Sequence, residues 1–353
     1  MFSNMNTLAK SLSFAFLSSI FVIGCGGSGS SPVSTTGSGS TSLNIPPIHV
    51  GPGDLYVGIK NSNVSSTLST LGGVYQFDPT STTSPTQVVQ LNSDVVFAAG
   101  LVLTNATIGD SSFIYAYSTL NSGAIESNSA VYGQASNGTF SPTGLTNLPN
   151  VGNGVVEITP TPNGFFTLQD QSTELLTLFS PAGAVEWSKT IDGGYDYCAQ
   201  TNQIVYVTQQ PSDGSLQINI ATLSSSGPTQ PLVLATLPSS TEVNSIAISK
   251  DGAEIAYGEV SGTTGSLMLQ ATTSNSVASA IVSGPSDKFT YLAFGPTTAQ
   301  LAYSLVGISP STATTNTFHI VNPSSPSNDS VISFFSGDVV NSLEWANATG
   351  TSY

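Results

Sequence analysis

The sequence has no arginine: 353 residues carry five lysines, two histidines and 20 acidic residues, for a formal charge of −15. Without guanidinium groups the chain cannot make bidentate phosphate contacts, and an acidic surface repels nucleic acid and anionic lipid headgroups. Neither is expected as a partner. Charged residues of both signs make up only 7% of the chain, so solubility rests on Ser, Thr, Asn and Gln, a composition suited to an extracytoplasmic setting. Cysteine is as scarce, with Cys25 and Cys198 alone. Besides Cys25, at the start of the mature chain, only Cys198 remains, so no intrachain disulfide framework is expected and stability must come from an apolar core. With only His49 and His319, the chain has no HExxH motif and no histidine cluster. A Ser-His-Asp arrangement would need one of these two, and no G-x-S-x-G elbow is present. His319, in "TFHIVNP", reads as a packed or solvated strand residue.

What is present begins with a leader. The apolar run Leu12 to Ile23 follows a weakly basic start at Lys10 and is too short to span a membrane, so residues 1–24 read as an export signal. It ends in Val22-Ile23-Gly24-Cys25, which resembles the lipobox of bacterial lipoproteins; the resemblance implies that Cys25 becomes the lipidated first residue. Residues 25–47, with "GGSGSSPVSTTGSGSTS" at their start, have the composition of a flexible tether. Residues 48–353 remain for one globular domain.

That domain repeats itself. "SIAISKDGAEIAY" (Ser245 to Tyr257) aligns without gaps on "YLAFGPTTAQLAY" (Tyr291 to Tyr303), "GYDYCAQTNQIVY" (Gly194 to Tyr206) and "VVEITPTPNGFFT" (Val155 to Thr167). Each unit joins two apolar alternations through a polar turn, with Val156 and Phe165, Tyr195 and Ile204, Ile246 and Ile255, and Leu292 and Leu301 nine residues apart. Short β-rich runs such as "SLMLQATT", "LQINIATL" and "PLVLATL" fill the intervals, and no helical periodicity is sustained outside the leader. The spacing predicts an all-β, six-bladed β-propeller of four-stranded antiparallel blades. The last strand-like run, Leu343 to Trp345, has the character of a first strand, whereas the first clear unit, from Leu55, begins at a second strand. Pairing of these N- and C-terminal strands would close the ring and leave no unpaired edge at the seam.

"ISKDGAEIAYGE" resembles the short repeat of TolB-like propellers, which are related in outline to WD40-like repeats; Asp251 and Gly252 match its Asp-Gly turn. "LFSPAGAVEWSKTI" (Leu178 to Ile191) is similar to the repeat of quinoprotein-like propellers and outer-membrane assembly lipoproteins. The resemblance covers most of residues 50–353 as architecture, while only the unit at Asp251 is close as a motif.

The alignment puts Glu157, Asp196 and Glu344 at one position of the first strand, where Ala247 and Ala293 stand in the other clear copies. First strands line a propeller's channel, so these carboxylates are expected to converge there as a site for Ca²⁺, a cationic ligand or a partner's basic loop. Tyr195, Tyr197 and Trp345 beside them are candidate flat contact surfaces. Six-bladed propellers also include lactonases that hold Ca²⁺ with channel Glu, Asn and Asp. Glu157, Asp196, Glu344 and Asn153 are the matching candidates here, although no arginine or channel histidine is available to polarise a substrate or move a proton. Cys198 reads as a small buried hydrophobe. The expectation is therefore a monomeric, lipid-anchored propeller of the bacterial cell envelope that binds or scaffolds an envelope protein, peptide or glycan without catalysis. The alternative is a Ca-dependent, lactonase-like hydrolase using the channel carboxylates.

Overall fold

In a computed structural model of the chain, the residues described are 53–60, 73–81, 83–90, 95–102, 113–121, 124–134, 140–142, 155–161, 164–170, 174–180, 184–285, 287–307, 316–335 and 339–345. The leader, Cys25, the tether, His49 and Asn153 lie outside them. The account below concerns the unit 44–353.

Every sheet is antiparallel, and all but the one that joins the two ends of the domain run strand by strand in chain order. One contains β4 (Val95–Val102), β5 (Phe113–Asn121), β6 (Ala124–Gln134) and β7 (Phe140–Pro142). The next contains β8 (Val155–Thr161), β9 (Gly164–Asp170), β10 (Glu174–Phe179) and β11 (Val185–Ile191). Then come β12 (Tyr195–Cys198), β13 (Gln203–Gln209) and β14 (Leu216–Ser224), whose outer partner is split into β15 (Gly227–Pro228) and β16 (Leu232–Leu237). Both pieces pair along one edge of β14, and the break lies between Pro228 and Pro231, which lack the N–H a continuous ladder needs. Two further sheets are β17 (Thr241–Ile248), β18 (Glu254–Ser261), β19 (Thr264–Ala271), β20 (Ser279–Pro285), and β21 (Asp287–Phe294), β22 (Leu301–Gly307), β23 (Asn316–Val321), β24 (Ser330–Val331). The remaining sheet joins the two ends of the domain: β25 (Val339–Trp345) pairs with β1 (Leu55–Lys60), followed by β2 (Gly73–Phe77) and β3 (Thr86–Gln90). Leu55 faces Trp345 and Val57 faces Leu343, the strand pairing expected at the seam. The only helical pieces among the described residues are 3-10 turns at Pro326–Asn328 and Ser333–Phe335. The architecture is an all-β propeller of antiparallel, mostly four-stranded blades.

The repeat follows from hairpin mechanics. Tyr195 pairs with Tyr206 and Ile246 with Tyr257, the same offset around equally long turns. The turns solve one problem differently. After β17, Gly252 takes φ +70°, while Asp251 Oδ1 accepts hydrogen bonds from Ser249 Oγ and the Ala253 N–H. After β12 there is no glycine, and Asn202 supplies the left-handed conformation at φ +56°, its amide held between Tyr197 Oη and the Leu223 carbonyl.

The core lies between sheets. Ile246, Ile248, Ile255 and Tyr257 pack against Val205, Val207, Ile218 and Ile220 of the preceding sheet. Phe289, Phe294, Leu301 and Tyr303 meet Ala247, Ala256 and Leu267. At the seam, Phe318 and Phe335 pack on Leu55, Val57, Tyr75, Phe77 and Trp345. Alternation along each strand thus supplies an apolar face to both neighbours.

Candidate functional site

The inner strands carry two carboxyl groups into a poorly hydrated place. Asp196, on β12, accepts hydrogen bonds from the Ile248 N–H of the adjacent sheet through Oδ2 and from the Tyr197 N–H through Oδ1, each 2.8 Å long. Burial raises its carboxyl to about 6, opposed by these N–H groups and by the charge of Lys250. Glu344, on β25, is raised by burial to about 7, with Lys250 pulling it down and Asp196 pushing it up. The two acids therefore feel each other's charge. Lys250 joins them: its Nζ lies 3.5 Å from Glu344 Oε1, with both side chains about one-fifth exposed.

The chain's route explains this meeting. Lys250 is in the turn after β17, while Glu344 is on β25, two inner strands away with β21 between. At the position of β21 that the repeat aligns with Glu344 stands Ala293, paired with Ala302. The lysine's backbone is fixed, its carbonyl 3.1 Å from Cys198 Sγ. The turn also presses against its neighbour: a Cβ on Gly252 would lie 2.6 Å from Thr201 Oγ1. Beside the cluster, a cavity of about 350 Å³ is lined by Gln200, Lys250, Asp251, Pro296, Thr297 and Thr298, from the turns that follow three successive inner strands.

Two of the three expected acids, Asp196 and Glu344, come together. Glu157 lies on β8, where it pairs with Leu168, eleven residues on, whereas Asp196 pairs with Val205, nine on. Its backbone rank is thus that of Tyr195, and its side chain lies outside the described residues. Tyr195 and Trp345 do not provide the expected contact surface. Tyr195 is buried with its hydroxyl 2.8 Å from Thr159 Oγ1, and Trp345 is fully buried, its Nε1–H donating to the Gly53 carbonyl. Neighbouring residues on a strand point to opposite faces, so each acid's aromatic neighbour turns into the core between sheets. Tyr197 is half-buried and donates from its hydroxyl to Asn202. Cys198 is buried, as expected. No group of three or more metal-ligating side chains occurs among the described residues.

Lys250 is the member of the cluster that strand alignment does not reveal. Its signal in the sequence is one of only five lysines placed directly before the Asp-Gly turn at the end of an inner strand. His319 is packed: Nδ1 lies 3.0 Å from Asp329 Oδ2, Nε2 lies 2.8 Å from Thr317 Oγ1, and the ring stacks on Tyr303.

No protein family profile matches the chain, and no curated protein sequence matches it. Among solved structures it is similar to a putative TolB from Agrobacterium tumefaciens, with a TM-score of 0.50 at 9% identity over 83% of this chain and 97% of that one. TolB from Acinetobacter baumannii gives a TM-score of 0.47 at 13% identity, covering 78% of this chain, which spans 62% of that protein's length. A putative 6-phosphogluconolactonase from Bacteroides fragilis gives 0.43 at 10% identity, over 88% of this chain and all of that one. The fold is that of a TolB-like β-propeller.

Proposed function

We propose that the chain is a lipid-anchored, non-catalytic binding protein of the bacterial cell envelope, a closed six-bladed propeller that receives its partner at the mouth of an acidic channel. The six-blade count takes the β4–β7 sheet as a blade beside the five whose core side chains are described. Ring closure is supported by the β1–β25 pairing and by the contacts of β25 with both β21 and β4. Anchoring is supported by the leader and the lipobox-like Cys25, and an envelope location accords with the TolB-like fold. The partner is an envelope protein, peptide or glycan, and the chain works as a monomer.

One observation carries the binding role: Asp196 and Glu344, raised to about 6 and about 7, share Lys250 beside a cavity of about 350 Å³. Perturbed ionisable groups gathered beside a cavity are a hallmark of functional sites. Binding is preferred to calcium-dependent hydrolysis because an ammonium already seated on Glu344 competes for the oxygens that Ca²⁺ would need six to eight of.

A photo-crosslinking residue at Thr297, in the cavity wall, tests the reading in intact cells against one at Val277 on the outer surface. Adducts specific to Thr297 and lost in Glu344→Gln support it; adducts indifferent to Glu344→Gln refute it. For the anchor, Cys25→Ala is expected to move the protein from the membrane to the soluble fraction, and a variant that stays membrane-bound refutes lipidation.

A further inference from the structure

The binding reading leaves open what chemistry the mouth accepts, and Lys250 answers it. Its ammonium sits on Glu344, within the field of Asp196, in a protein with five lysines, no arginine and a formal charge of −15. Carboxylates placed away from bulk water need a positive charge close by, and the chain supplies one from a turn instead of from a neighbouring strand. A lysine is suited to temporary duty there: its charge is a compact ammonium on a flexible four-carbon stem, with no planar fork to lock it in place. The backbone beneath it is held by Cys198 and the Asp251 turn, so movement is confined to the side chain. Room for that movement adjoins it, since Lys250 lines the cavity of about 350 Å³ whose other walls include Gln200, Thr297 and Thr298. Those walls offer amide and hydroxyl groups that can solvate an ammonium or a peptide backbone. Asp251 adds negative charge at the rim, with its carboxyl held below its usual value, chiefly by the Ser249 hydrogen bond.

We infer that Lys250 is an internal competitor: the mouth takes a primary ammonium from a basic peptide segment, which replaces Lys250 on Glu344 while the lysine side chain swings into the cavity. The inference rests on the binding reading above and adds the ligand class and its control. A cation is favoured over an anion because Asp196, Glu344 and Asp251 outnumber the one lysine that faces them. An occupant that must be displaced lowers every ligand's apparent affinity in proportion to the fraction of time the site stands open. Removing the competitor while keeping the acids should therefore tighten binding.

The test is fluorescence anisotropy on the purified full-length protein with a fluorescein-labelled Ala-Lys-Ala-Lys-Ala amide and its norleucine twin, at about 150 mM salt so that remote charges are screened. Lys250→Met is expected to bind the lysine peptide about tenfold more tightly than the unaltered protein, a difference of about 1.4 kcal/mol. Lys250→Gln, which keeps a polar stem, is expected to do the same and serves if the methionine variant does not fold. Glu344→Gln in either background should abolish the gain, and the norleucine peptide should not bind. If neither Lys250 variant binds more tightly, the competitor is refuted, while loss of binding in Glu344→Gln alone would leave the binding reading standing. If no variant binds the lysine peptide, or the norleucine peptide binds equally well, the cationic ligand class is refuted.

Discussion

Lys250 reaches past the inner strand β21 to set its Nζ 3.5 Å from Glu344 Oε1, tying the turn of one blade to the C-terminal strand of another. The contact tempers a charge that the fold keeps from water without removing the cost. Asp196 and Glu344 remain raised to about 6 and about 7, above the roughly 4 expected of unfolded carboxyls.

Between about pH 4 and 7 the native state accordingly binds more protons than the unfolded chain, so the stabilisation from these groups is complete at low pH and is lost as pH rises through the folded values. At about 1.4 kcal/mol per pKa unit, the loss is at most about 3 kcal/mol per acid, and less than additive because the two are coupled. The melting temperature is expected to fall between about pH 5 and pH 8, and the combined variant Asp196→Asn, Glu344→Gln should flatten that slope. An unchanged slope in the variant would show that these acids are ionised without penalty.

Close approach of backbones sets a second expectation. A Cβ on Gly258 of β18 would lie 2.3 Å from the Phe289 carbonyl oxygen on β21, so the facing sheets meet where a methyl group cannot fit. Gly258→Ala should cost about 1 to 3 kcal/mol through forced displacement. Gly262 provides the contrast: it has φ +62° and open space around its Cβ position, so Gly262→Ala should cost only about 1 kcal/mol of backbone strain. Chemical denaturation of both variants measures the difference. Equal losses would mean that the sheet contact yields freely.

How far the sequence reveals this arrangement depends on the distance over which a feature is encoded. Ile246 and Ile255 expose their hairpin because strand alternation and turn length are local, and alignment of successive hairpins then brings Asp196 and Glu344 to one rank. Trp345 and Tyr195 are misjudged from the same alignment, since adjacency to an inward-facing acid places a strand residue on the opposite face. Lys250 escapes because its contact arises from a turn and spans two strands, and no local period records such a meeting. The register of Glu157 differs because β8 and β9 stay paired as far as Thr161 and Gly164, one step further along the chain than the repeat alignment places the reversal.

Cys198 offers a check on the packing between β12 and the β17–β18 turn. It is buried beside Val205 and Ile248, and its thiol faces the Lys250 carbonyl. A thiol without solvent access reacts only when the structure opens. Ellman's reagent should leave it unmodified in the native protein and label it fully in denaturant. Rapid native labelling would show that the turn bearing Lys250 opens readily.

The strap from Asn322 to Phe335 gives the last expectation. It starts at the end of β23 and finishes with Phe335 in the seam core, edge-on to Phe77 at 6.0 Å and to Phe318 at 5.4 Å. Midway, Asp329 accepts hydrogen bonds from Tyr303 Oη at 2.8 Å and shares His319 Nδ1 at 3.0 Å. Burial pushes the Asp329 carboxyl up, but the bonds from His319 and Tyr303 outweigh it and hold the group below its usual value. A lowered carboxyl stabilises the fold above the unfolded pKa of about 4, and that contribution is lost on acidification through the folded value. Asp329→Ala leaves a phenol and an imidazole without their acceptor, at about 1 to 3 kcal/mol for each orphaned group. The variant is expected to melt earlier at neutral pH, with hydrogen exchange fastest in the strap. Loss of stability without faster exchange there would mean that Phe335 alone holds the strap in place.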